Sequence, residues 1–182
     1  MKSIVCLVKS LLILVLTYCC SSACLAQEAR SNTEISVGID GGFPVGSFHK
    51  QSNIGIGGSL KYGYNINPTA AVTLQSGYIS FLGKNTRQGE GPVYKTFQTA
   101  QIPVKAGLRL TKGRYYIEPQ AGVSFLAGGP YHNTAFTYAA GIGKKLLDHF
   151  DVCVRYEAWS NNGTSSFIGL RLAYIFRNIV IR

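Results

Sequence analysis

Cysteine, histidine and acidic side chains are all scarce in this sequence. Four of its five cysteines lie within the first 24 residues, and Cys153 stands alone beyond them. Once that segment is set aside no internal disulfide can form. Cys153 reads as a small side chain filling space in a strand rather than a nucleophile. The three histidines, His49, His132 and His149, fall in loops or turns and lack the spacing of metal ligands. Eight Asp and Glu stand against eighteen Lys and Arg, for a formal charge of +10. A basic balance can mean nucleic acid, but no basic cluster is interleaved with aromatics, which argues against that partner. A run of ~20 apolar residues that would form a membrane-spanning helix is also missing, because Lys9 interrupts the N-terminal stretch.

That stretch has the layout of an export signal. Lys2 and Lys9 give a basic start, residues 11–16 with the following Tyr-Cys-Cys an apolar centre, and residues 21–26 a small-residue tail. Residues 1–26 are therefore read as a secretory signal peptide cleaved after Ala26. Lipid attachment at Cys24 competes with that reading, but Ser21 occupies the position where a large apolar residue is expected. Residues 27–182 amount to one domain carrying a formal charge of +8.

What is abundant is alternation. In 150–160, Phe150, Val152, Val154, Tyr156 and Ala158 share one face, and Asp151, Cys153, Arg155, Glu157 and Trp159 the other. After Asn161-Asn162-Gly163-Thr164, Ile168, Leu170, Leu172, Tyr174 and Phe176 oppose Phe167, Gly169, Arg171, Ala173 and Ile175. Two strands around a turn fit this period; a helix does not. The same pattern recurs near 35–39, 54–66, 72–78, 100–110, 115–125 and 135–143, giving eight segments. The odd-numbered connections, 41–52, 83–95, 127–133 and 161–165, are on average longer and richer in Gly, Pro and Asn than the even ones, 67–69, 111–114 and 144–149.

Alternation does not by itself say which face is inside. A soluble barrel or sandwich would turn the apolar face inward. Here the polar face is mostly Gly, Ser, Gln and Thr with an occasional charge, a poor water-facing surface but a good filling for a narrow lumen. Tyr62, Tyr64, Tyr78, Tyr115, Tyr138 and Tyr174 lie toward the ends of the apolar face, as interfacial girdles do. The expected fold is all-β, an eight-stranded antiparallel up-and-down transmembrane β-barrel in the bacterial outer membrane.

The runs 99–110 (TAQIPVKAGLRL), 115–122 (YYIEPQAG), 154–158 (VRYEA) and 169–176 (GLRLAYIF) resemble successive strands of the small outer-membrane β-barrel (porin-like, OmpA/OmpX-type) family of the Bacteroidetes type. The resemblance spans essentially all of 27–182 and implies an eight-stranded barrel. Such barrels usually stop at an aromatic residue, whereas residues 177–182 follow Phe176 here.

The presumed lumen collects Asp40, Lys61, Lys105, Arg109, Glu118, Asp151, Arg155, Glu157 and Arg171. A packed plug of ion pairs is the first reading of this network, and a cation-rich passage for small solutes the second. Lipid A deacylases are also eight-stranded barrels, and the run 155–161 resembles their catalytic strand with Ser160 at the nucleophile position. Ala158 stands where the histidine would be, so no enzyme is expected, and no cofactor or metal. Outer-membrane lipids and lipopolysaccharide are the expected partners. A surface ligand reached through loops 41–52 and 83–95 is a further expectation, resting on Phe48, His49, Lys50, Lys84, Arg87, Tyr94, Lys95 and Phe97. The resulting expectation is a structural or surface-interaction protein, with a narrow porin-like channel as the alternative.

Overall fold

The computed structural model describes residues 32–50, 52–83, 85–86, 94–95, 98–128, 133–147, 149–161 and 163–177. The proposed signal peptide and residues 178–182 lie outside this set. Eight long strands make the fold: β1 (Thr33–Val45), β2 (Ser52–Asn67), β3 (Ala70–Gly83), β4 (Thr99–Lys112), β5 (Tyr115–Ala127), β6 (Asn133–Leu147), β7 (Phe150–Ser160) and β8 (Thr164–Arg177). Each pairs antiparallel with the next in sequence. β8 returns to β1 in register from Glu34↔Arg177 to Val45↔Ser166 and closes the barrel. Closure leaves no sheet edge, the condition for a sheet to sit in hydrocarbon.

The even connections are tight, and their chemistry explains why. Asn67 Oδ1 accepts hydrogen bonds from the Thr69 and Ala70 amides at 2.9 and 2.7 Å and from the Thr69 hydroxyl at 3.0 Å, folding the chain around Pro68. Gly113 turns the β4–β5 hairpin at φ +63°, a left-handed conformation that glycine adopts without strain. At the other end, Gly46 at φ +61° opens a short 3-10 helix, Gly46–Lys50. The strands run further than the alternation alone marks. β1 continues to Val45, so the connection read as 41–52 is 46–51. Within 83–95, Asn85–Thr86 and Tyr94–Lys95 form a small antiparallel ladder of their own.

The outer surface is apolar. Ile39, Ile56 and Ile142 are 65–68% exposed, and further exposed aliphatic and aromatic side chains form a continuous band around them. Water would make such a band unstable, whereas lipid is its natural solvent. The six tyrosines named above all lie on this face: Tyr62, Tyr64, Tyr115 and Tyr174 toward the short turns, Tyr78 and Tyr138 toward the long connections. The soluble alternative, with its apolar face inward, does not describe this barrel.

Candidate functional site

Among the described residues, the barrel interior holds ten buried charged side chains, five acidic and five basic. They are Glu34 together with the nine named from the sequence, which the fold gathers into three groups. Nearest the short turns, Glu34 meets Arg109 and, at 3.1 Å, Lys145. Arg109 also donates through Nε to Glu118 at 3.2 Å, and its guanidinium lies over the Tyr116 ring. Glu118 is the most heavily bonded acceptor: Lys61 Nζ at 3.0 Å, Thr73 Oγ1 at 2.9 Å and Gln120 Nε2 at 2.7 Å complete its shell.

A second group centres on Arg171. Its Nε donates to Ser59 Oγ at 2.8 Å and its Nη2 to Ser36 Oγ at 3.1 Å, while Nη1 stands 3.6 Å from Asp151. Asp151 in turn accepts from the Tyr116 hydroxyl at 2.8 Å. The third group runs from Asp40 through Arg155 (2.8 Å) to Glu157 (2.9 Å), which also takes Lys105 and, at 3.0 Å, Gln101.

The glycines on the inner face make room for these long side chains. A Cβ on Gly143 would lie 2.1 Å from the Tyr116 ring, and one on Gly38 would lie 2.9 Å from Arg171 Nε. A cavity of about 10 Å³ is bounded by Lys61, Gln75, Glu118, Gln120, Gly141, Cys153 and Arg155, room for a single water.

Toward the long connections the lining changes character. Phe48, Ile79, Phe81, Leu126, Ala135, Trp159 and Phe167 form a buried apolar cluster across the barrel mouth. Phe81 meets Phe48 and Phe167 edge-on at 5.0 and 5.1 Å, and Phe48 meets Trp159 at 5.0 Å. This corrects the sequence reading of Phe48 as a loop-tip residue: the 3-10 helix folds back, and the ring gains more from Phe81 and Trp159 than from water. Glu34 and Tyr116 were not among the expected network residues. Both share the inward parity of their strands, Glu34 with Ser36 and Asp40, Tyr116 with Glu118 and Gln120, and that signal was available.

The catalytic alternative finds little support in the placement of its residues. Ser160 is exposed at the long-connection end of β7. His149 sits at the opposite end, stacked on Tyr174 at 5.5 Å with Nδ1 3.2 Å from the Ile175 carbonyl. At ~3.3 Å per residue they are about 36 Å apart. His49 is exposed in the 3-10 helix, and His132, like Lys84, Arg87 and Phe97, lies outside the described residues. Among the described residues no group of three or more His, Cys, Asp or Glu is placed to hold a metal ion.

Residues 12–176 match the outer membrane protein beta-barrel domain family. The chain belongs to that family. It is a barrel of the bacterial outer membrane, and by the usual orientation of such barrels the short turns face the periplasm and the long connections the cell exterior. The fold is similar to that of Ail, the attachment invasion locus protein of Yersinia pestis (TM-score 0.57, 16% identity, covering 81% of this chain and all of Ail). It is also similar to the N-terminal β-barrel domain of OprF from Pseudomonas aeruginosa (0.58, 13%, 80% and 98%) and to Neisserial surface protein A (0.52, 13%, 82% and 99%). Ail has also been solved in complex with the heparin analogue sucrose octasulfate; that structure matches at TM-score 0.58 and 16% identity, covering 79% of this chain and 97% of Ail. A search of curated proteins found no sequence match.

Proposed function

We propose that this outer-membrane barrel acts as a structural and surface-interaction protein rather than as a channel or an enzyme. The observation that carries the reading is the filled interior: five acidic and five basic side chains, paired and buried, beneath an apolar cluster at the mouth. Charges held this way are satisfied by one another and not by a stream of ions, and an eight-stranded barrel has bore only for its own side chains. The test is single-channel recording of the full barrel in a planar bilayer with concentrated KCl. The expected trace stays at the bilayer baseline; discrete, reproducible current steps would overturn the reading in favour of a narrow channel for small solutes.

With a closed interior, interaction falls to the surface. Because the buried charges cancel, the formal +8 of residues 27–182 resides on residues outside them. Lys50 is exposed beside the mouth, and loop residues Lys84, Arg87 and Lys95 belong to the same end of the sequence pattern. A polyanionic sugar, such as the sulfated analogue bound by Ail, is the ligand chemistry this charge would attract. Immobilised heparin should retain the barrel at low salt, and a joint Lys50→Gln, Lys84→Gln, Arg87→Gln, Lys95→Gln variant should elute at clearly lower salt. Unchanged elution would remove these loops as the binding surface.

A further inference from the structure

A second basic feature lies at the opposite end of the barrel, on its outer face. Strand register sets Lys112 opposite Tyr115 and Tyr115 opposite Lys144, so a cation, an aromatic ring and a cation stand in one row across β4, β5 and β6. Lys144 Nζ lies 5.0 Å from the centre of the Tyr115 ring. Arg114, exposed in the hairpin turn, adds a third cation beside the row, and its carbonyl accepts the Lys145 amide at 2.8 Å, tying the turn to β6. Lys145 itself points inward to Glu34 and belongs to the interior network. Among the described residues no carboxylate pairs with Lys112, Arg114 or Lys144.

Two residues further into the membrane, the same three strands present Leu110, Ile117 and Ile142, again in one row by register. These apolar side chains are 41–66% exposed, and with Tyr115 and Lys112 they line an open groove of about 280 Å³. At ~3.3 Å per residue the apolar row sits about 7 Å from the cationic one. That is the arrangement of a lipid at the interface, with its head group anionic and its chain beginning a few ångströms deeper. The short-turn end faces the periplasmic leaflet, which is built of phospholipids.

We propose that Lys112, Arg114, Tyr115 and Lys144, with the groove formed by Leu110, Ile117 and Ile142, are a binding site for an anionic phospholipid of the periplasmic leaflet. The cations hold the head-group phosphate and the groove takes the first part of an acyl chain. A zwitterionic lipid gains less, because its own ammonium group opposes the three cations.

The test is native mass spectrometry of the full barrel extracted from vesicles of equal phosphatidylglycerol and phosphatidylcholine, each variant first checked for the heat-dependent gel shift of a folded barrel. The wild type should keep phosphatidylglycerol in preference to phosphatidylcholine. Near a membrane surface each basic residue contributes roughly fivefold, so Lys144→Gln should lower that preference about fivefold and the triple variant Lys112→Gln, Arg114→Gln, Lys144→Gln on the order of 100-fold. Lys50→Gln, at the opposite end, should leave it unchanged. Equal retention by the wild type and Lys144→Gln would overturn the site, as would an equal loss in Lys50→Gln, which would mean diffuse attraction to a basic protein. Full displacement of the lipid by inorganic phosphate would overturn the role of the groove, leaving only an anion site.

Discussion

Replacing Glu118 with leucine is expected to cost the barrel about 3–5 kcal/mol, because it leaves a buried ammonium without its counter-charge. Glu118 accepts from Lys61, Arg109, Thr73 and Gln120. Arg109 keeps Glu34 when Glu118 is gone, but no other carboxylate of the described residues pairs with Lys61. The loss is therefore concentrated on one lysine. Removing that lysine as well should return much of it: Lys61→Met combined with Glu118→Leu should be more stable than Glu118→Leu alone, since an apolar pair of similar volume can replace a buried ion pair at little cost. Urea unfolding of the barrel in lipid vesicles, followed by gel mobility without boiling, measures both. Additive losses in the double variant would mean that the two side chains do not depend on each other, and the network would lose its central link.

Phe81→Ala is expected to cost a similar amount, about 3–5 kcal/mol, for a different reason. The Phe81 ring is fully buried and lies over two glycines; a Cβ on Gly55 or Gly42 would come within 2.5 or 2.8 Å of it. The ring thus fills the space of two absent side chains, and truncating it leaves a void that Phe48, Trp159 and Phe167 would have to collapse into. The same variant should still give no current in a planar bilayer, because the charged layers below the mouth are untouched. A loss below about 1 kcal/mol would show that the mouth is already open to water. The appearance of current steps would place the barrier to ions in the apolar cluster rather than in the charges.

The eight strands, their order and the sidedness of their connections were legible in the sequence, because a period of two with Ile, Leu, Val and Tyr on one side and Gly, Ser and Thr on the other leaves little else for the chain to do. The nine charges were legible for the same reason. Residues such as Ile79 and Phe81 were harder. They continue the inward parity of Thr73, Gln75 and Gly77, but sorting residues by polarity discards them as breaks in the pattern, while counting every second position from the strand centre recovers them. Trp159 and Phe167 were on the inward face in the pattern, yet nothing in it says that they meet each other. The partners that meet across the lumen were not legible. Lys61 finds Glu118 and Arg155 finds Asp40 across the lumen, between strands that are not neighbours, and those contacts depend on how far each strand is staggered against the next.

Those cross-lumen pairs also bear on how the molecule is built. Arg155 and Asp40 are 115 residues apart in sequence, Lys145 and Glu34 are 111 apart, and Arg109 and Glu34 are 75 apart. A half-assembled sheet of β1 to β4 would carry Asp40 into hydrocarbon without its guanidinium, which is unfavourable in lipid. Insertion strand by strand is thereby discouraged, and the last hairpin to arrive completes the neutralisation of the first strand. The charge pattern thus favours the closed barrel over any partial sheet: without its last hairpin the sheet carries Asp40 unpaired, and only the complete barrel turns an apolar surface outward over charges that are countered inside.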